Sequence, residues 1–221
     1  DRRQRQMCIR DRYKKDEVVR LKVIVHVGPK GFQKVGHICF AYDDIVYSYG
    51  NYDSDSFHLN QTIGDGIFFT VPFEKYIPNM ISAENNSIFE YGIYTTSKQN
   101  ALIEKEIEKI RQNGYRWYTK IEKEDGYDRF SEYEMDYPSR LHYRTGAKLY
   151  KVKSGKFHIY WALGDNCASF TDLVLGTLGA DVLSIRGIIS PGTYLDWLQK
   201  EYLKKNSPIV FRRIYKEWDS K

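Results

Sequence analysis

Gly164-Asp165-Asn166-Cys167-Ala168-Ser169-Phe170 decides how this chain is read. Its first three residues form turns and caps. From Ala168 onward the chain turns apolar, and Phe170, Leu173, Val174, Thr177 and Leu178 make one helical stripe closed by Gly179. Cys167 therefore stands at a helix start. Unpaired backbone N–H groups and the helix dipole lower a thiol's pKa there, and the same N–H groups can hold an oxyanion. Cys167 is the best nucleophile candidate in the chain. Asp165 reads as the N-cap and Asn166 as a turn former, each with substrate orientation as the competing role.

Upstream of this loop, Ala147 to Val152 and Phe157 to Ala162 read as a hairpin across Lys153-Ser154-Gly155-Lys156. Leu21 to Val27 is β-branched and alternating, and ends at the turn cluster Gly28-Pro29-Lys30-Gly31. Gly36 to Tyr42 and Ile45 to Tyr49 flank Asp43-Asp44, the spacing of a tight hairpin. Ile67 to Val71 and Phe89 to Thr95 are further strands, with turns at Gly64-Asp65-Gly66 and Asn85-Asn86. Thr96-Ser97-Lys98-Gln99 is a capping box, and Ile103, Ile107 and Ile110 predict a helix over 97–112. A last helix opens at Thr193 after Pro191-Gly192. Residues 115–145 have no clear period and read as an aromatic-rich insertion covering a cleft.

Thiol catalysis needs an imidazole to take the proton and a polar group to orient that imidazole. His37 starts a strand, and Gly36 before it lets a substrate approach closely. If Asp43-Asp44 is a two-residue turn, His37 lies opposite Gly50 and Cys39 opposite Ser48, so Ser48 shares a face with His37 on the diagonal. A one-residue slip would put Tyr47 or Tyr49 there instead. Tyr49 and Gly36 join Asn166 and Asp165 as candidate substrate or oxyanion contacts. Cys39 reads as a half-buried strand residue. His26, His58, His142 and His158 lack partners at metal-ligand spacing, so neither a metal nor another cofactor is expected.

Gly36-His37 before an alternating hairpin, then Asn166-Cys167-Ala168-Ser169-Phe170 opening an apolar helix, resembles the circularly permuted branch of the NlpC-type papain-like cysteine hydrolases, which includes the lecithin:retinol acyltransferase-like proteins. The match covers residues 33–52 and 157–180. The resemblance implies an α+β papain-like fold, an antiparallel sheet packed against a helix with the Cys at its N-terminus. It also implies Cys167 as nucleophile and His37 as general base. At the third position that family usually carries His, Glu or another strong hydrogen-bonding residue; this chain offers Ser48, or else Asn51, Asp53 or His58 from the following loop. The implied reaction is acyl transfer to water, with a peptidoglycan amide as the favoured substrate. A bacterial toxin or effector module, secreted or acting in the periplasm and matched by an inhibitory immunity protein, would fit that chemistry. Lipid acyl transfer on the same dyad and a non-catalytic binding module are the other readings.

Composition limits the rest. The 221 residues suit one domain, 13–221, with the possible insertion at 115–145. Residues 1–12 resemble a translated sequencing adapter, since Met7-Cys8-Ile9-Arg10-Asp11 is what ATG-TGT-ATA-AGA-GAC encodes; the natural N-terminus is expected to be missing. Without that segment Lys+Arg falls from 34 to 29, Asp+Glu from 29 to 27 and the net charge from +5 to +2. The remaining lysines alternate with glutamates, so no nucleic-acid partner is expected. Two cysteines remain, too few for a disulfide framework, with one Cys39–Cys167 bridge left open. No apolar run is long enough for a transmembrane segment. The 19 Tyr suit a sugar-peptide groove or ordinary sheet packing, and the sequons at Asn60 and Asn85 read as chance.

Overall fold

The computed structural model describes residues 7–11, 18–27, 36–123, 132, 134–179 and 190–216. They form an α+β structure around a nine-stranded antiparallel sheet. Its centre is built from β2 (Leu21–Val27), β3 (His37–Tyr42), β4 (Ile45–Gly50) and β6 (Ile67–Pro72), in that spatial order. β7 (Ser87–Ile93) lies beside β2, and β9 (Lys148–Val152) and β8 (Gly114–Trp117) continue beyond β6. A separate two-stranded sheet joins β5 (Ile63–Asp65) to β10 (Ile159–Trp161).

Period-two alternation divides the central strands between two cores. Val23, Val25, Ile38, Phe40, Tyr47 and Tyr49 face one way, packed beneath α2 (Ser97–Gln112), α5 (Cys167–Gly176) and α6 (Pro191–Leu203). Ile24, Cys39, Ala41, Val46, Phe69 and Val71 face the other way, against α1 (Phe73–Ser82) and α4 (Tyr137–Thr145). Helices thus cover both faces of the sheet.

The β3–β4 turn sets the register on which the site depends. Asp43 and Asp44 both adopt positive φ, 48° and 59°, as a two-residue primed turn requires and as short Asx side chains tolerate. Arg20 clamps Asp43 at 2.7 Å and Lys22 holds Asp44 at 2.5 Å. Tyr42 pairs with Ile45 and Phe40 with Tyr47, which places Ser48 on the His37 face.

Several expectations need correction. The hairpin expected from Ala147–Val152 and Phe157–Ala162 does not form, because β9 pairs with β6 and β8 while β10 pairs with β5. Gly66 explains the parting. A Cβ there would lie 1.9 Å from the Phe157 carbonyl oxygen, so only glycine lets the 157 segment cross at that point. The stretch 115–145 is not simply a cover: β8 extends the main sheet, and Ile121 and Leu141 are buried. Residues 124–131 and 133 of it lie outside the described residues. The sequence reading also missed α1, whose Pro78 masks the helical pattern, and the closing strand β11 (Ile209–Tyr215), paired with β7. Within the adapter-like segment, β1 (Met7–Asp11) pairs with the open edge of β11. Such an edge accepts any extended chain through backbone groups alone, so the pairing is compatible with a foreign segment.

Candidate active site

Asn166, not Asp165, caps α5. Its Oδ1 accepts from the backbone N–H groups of Ala168 at 2.9 Å and Ser169 at 3.1 Å, and Ser169 Oγ accepts from the Asn166 N–H at 2.9 Å. Asn166 Nδ2 donates to the Ala162 carbonyl. Oδ1 and the backbone N–H of Asn166 thus form the cap, and Nδ2 ties it to the preceding loop. Asp165 accepts from the Trp161 N–H through its carbonyl, and its carboxylate lies 3.8 Å from Lys156.

Cys167 is the first residue of α5 and is 4% exposed. The backbone N–H groups of Ile38, Ala168 and Cys167 itself face its sulfur and lower its pKa, yet burial dominates and pushes the thiol up to about 11. The lowered pKa expected at a helix start is therefore reversed. A partner strand would normally occupy the Ile38 N–H. The β3–β4 ladder extends only over Phe40–Tyr42 and Ile45–Tyr47, and beyond it that N–H turns to the sulfur.

His37 begins β3 on the opposite face of the sheet, beside the same peptide. Its Nε2 lies 2.7 Å from Ser48 Oγ, and Ser48 Oγ lies 3.2 Å from the Tyr52 hydroxyl. The diagonal pair expected from the hairpin register is thus in contact. Cys167 meets the His37–Ile38 peptide; among the described residues no hydrogen bond joins its sulfur to the imidazole, a contact that commonly tightens only when substrate binds. Burial lowers His37 to about 4. The resting pair is consequently a neutral thiol and a neutral imidazole.

His37 also lines a cavity of about 270 Å³ with His26, Tyr52, Met80, Asn86 and Tyr137. Gly36 forms part of its wall. The backbone there has φ +77°, and a Cβ would stand 2.6 Å from the His26 carbonyl oxygen. Gly36→Ala must therefore displace the start of β3. We expect it to cost about 1–3 kcal/mol in a urea titration and to lower turnover more than an equally destabilising change elsewhere, because it moves His37.

Acid should weaken the fold here. An unfolded histidine titrates near its ordinary 6.5 and folded His37 near 4, so between these values the unfolded chain binds more protons. The contribution is whole above pH 6.5 and is lost as pH falls through 4. The full shift corresponds to roughly 3 kcal/mol; the ring is half-buried, so we expect about 2. Urea midpoints at pH 7 and pH 4.5 check this, and His37→Gln should reduce the difference without abolishing it, because burial also holds His26 well below its ordinary pKa.

Other candidates fall elsewhere. Tyr49 is fully buried on the α5 face, stacked on Phe170 at 4.9 Å, and its hydroxyl donates to the Phe157 carbonyl, so it cannot reach a substrate. Tyr47, the other residue a slipped register would have offered, bonds Arg111. Asn51 donates to the Gln61 carbonyl and Asp53 accepts from the Asp55 N–H, leaving Ser48 as the group on His37. His58 joins Ile63 through a β-bridge, and His142 and His158 bond the Ala147 and Val152 carbonyls. Cys39 and Cys167 are free thiols, so no bridge joins them. Among the described residues, no helix is long and apolar enough to cross a membrane. The sequence reading weighed His26 only as a metal ligand and passed over Tyr52; strand pairing sets His26 directly opposite His37, whereas nothing in the sequence marked Tyr52. No family model, curated protein or solved structure matches this chain.

Proposed function

We propose that this protein is a papain-like cysteine hydrolase in permuted order, with His37 preceding Cys167 in the chain. The observation that carries the proposal is the 2.7 Å contact between His37 Nε2 and Ser48 Oγ at a strand end whose next backbone N–H faces the Cys167 sulfur. If Nε2–H donates to Ser48, the other ring nitrogen keeps its lone pair and serves as base. The sulfur then bonds the carbonyl carbon of an amide while its proton passes to His37. Collapse breaks the C–N bond, with that proton going to the leaving amine. Water, deprotonated by His37, releases the acid and restores the thiol, and the Cys167 N–H helps hold the oxyanion.

An amide of a peptidoglycan stem peptide is the substrate we favour, in keeping with a bacterial effector that an immunity protein would restrain. Purified protein and its Cys167→Ala variant, incubated with muropeptides and separately with phospholipid vesicles, provide the test. New amines should appear from muropeptides with the unaltered protein alone. Equal release by both proteins overturns the nucleophile assignment, and turnover confined to lipid replaces the amide with an acyl ester.

A further inference from the structure

Ser48 orients the imidazole, but a serine hydroxyl does not orient itself. Its O–H turns freely about the Cβ–Oγ bond and carries one proton and two lone pairs. Ser48 is fully buried in β4, and among the described residues its hydroxyl meets two groups, His37 Nε2 at 2.7 Å and the Tyr52 hydroxyl at 3.2 Å. One proton cannot serve both contacts. Given to Nε2, it makes that nitrogen an acceptor and sends the ring hydrogen to Nδ1. Given to Tyr52, it leaves Nε2–H to donate to Ser48 and Nδ1 with a free lone pair. The contacts admit both arrangements, so the tautomer of His37 turns on what Tyr52 does.

The chain holds the Tyr52 hydroxyl in this place. β4 ends at Gly50, where a Cβ would lie 2.9 Å from Tyr52 Cζ and 3.0 Å from its hydroxyl oxygen. The bare backbone lets the ring fold back across the strand end to Ser48. Phe69, opposite Ser48 across β4 and β6, lies 5.4 Å from the ring, and Tyr137 stacks on it at 5.8 Å. The ring makes these contacts and the hydroxyl does not, so a phenylalanine would keep them. Burial holds the phenol well above its ordinary pKa, which keeps it neutral and able to accept.

We propose that Tyr52 is a positioning residue for His37: its hydroxyl accepts the Ser48 proton, so that Nε2–H donates to Ser48 and Nδ1 is left as the base. This rests on the reading of His37 as general base, since the opposite polarity would put the ring hydrogen on the nitrogen that must take the thiol's proton. Tyr52 acts only through Ser48, and Gly50 makes the room for it to do so.

In Tyr52→Phe the Ser48 hydroxyl keeps one partner. A buried hydroxyl with an unused proton costs more than one with an unused lone pair, so Ser48 should turn its proton to Nε2 and drive the ring hydrogen to Nδ1. Long-range 1H–15N correlation spectra of protein labelled with 15N-histidine read this directly, with the His37 signals assigned by their absence in His37→Gln. The unaltered protein should show His37 as the Nε2–H tautomer, and Tyr52→Phe should show mainly Nδ1–H. Gly50→Ala, whose Cβ pushes aside the far end of the Tyr52 side chain, should give the same change. An Nδ1–H ring in the unaltered protein overturns the proposal, and so does a His37 tautomer that is the same in all three proteins. If Tyr52→Phe does not fold, the unaltered protein and Gly50→Ala still decide. The spectra need no turnover. Equal amine release by Cys167→Ala and unaltered protein would remove the nucleophile assignment and leave the tautomer result standing, so the two failures are distinguishable.

Discussion

On the proposed mechanism Cys167→Ala should abolish amide hydrolysis, and His37→Gln should lower kcat by a comparable factor, about 10³–10⁴ in each case on the scale of other nucleophile–base pairs. The reason lies in the resting protonation state. Burial pushes the thiol up to about 11 and the imidazole down to about 4, so neither group is charged near neutral pH. A neutral thiol is a poor nucleophile, and attack depends on a base that removes its proton as the S–C bond forms. Without His37 that base is gone; without Cys167 the base has nothing to activate. The two losses should therefore not add, and the double variant should be as inactive as either single one. Ser48→Ala should lose less, about 10–10²-fold in kcat with KM little changed, because Ser48 orients the ring and does not take part in bond making. Its pH–rate profile should shift, which a merely structural loss would not cause. Steady-state kinetics of the four variants against one peptide amide read all of this.

Phe170→Ala should be the most destabilising single change near the site, at about 3–5 kcal/mol. The ring is 2% exposed, in the first turn of α5. It stacks on Tyr49 at 4.9 Å and Phe68 at 6.2 Å, meets Phe157 edge-on at 5.4 Å, and lies 6.4 Å from Phe40. Three strands and the 157 segment thus converge on one side chain. Truncation leaves a hole bounded by aromatic rings that cannot collapse into it. The same contacts seat the helix start against β3, so Phe170→Leu should retain most of the fold yet shift the Cys167 sulfur relative to the Ile38 N–H. Urea titrations of both variants at pH 7 give the stability losses, and alkylation of Cys167 by iodoacetamide reports the shift.

Much of this was legible in the residues. The Asp43-Asp44 turn sets the β3–β4 register, and that register alone brings Ser48 to His37. The helix start at Cys167 was equally plain, because turn and cap residues at 164–166 precede the apolar stripe, although the cap read at Asp165 belongs to Asn166. What could not be read depended on long-range contacts. Burial reverses the expected sign of the Cys167 pKa shift, and burial is a property of packing. Lys148–Val152 and Ile159–Trp161 carry good strand patterns, but their partners are more than 30 residues away in sequence, at 63–65, 67–70 and 114–117, so the local hairpin was the wrong inference. Pro78 broke the helical pattern of α1, although Tyr76, Ile77, Met80 and Ile81 are buried on its inner face. His26 was visible as a strand residue. Its unpaired Nδ1 was not, because burial without a partner is a property of packing.

The central claim is that Cys167 attacks an acyl carbon with His37 as its base. Rapid acid quench after mixing with p-nitrophenyl acetate, followed by peptide mass spectrometry, tests it most directly. One acetyl group should appear on the Cys167 peptide and none on Cys39, and the same mixing time should leave His37→Gln essentially unlabelled. Acetylation of Cys39 in place of Cys167, or labelling of Cys167 at an undiminished rate in His37→Gln, would contradict it.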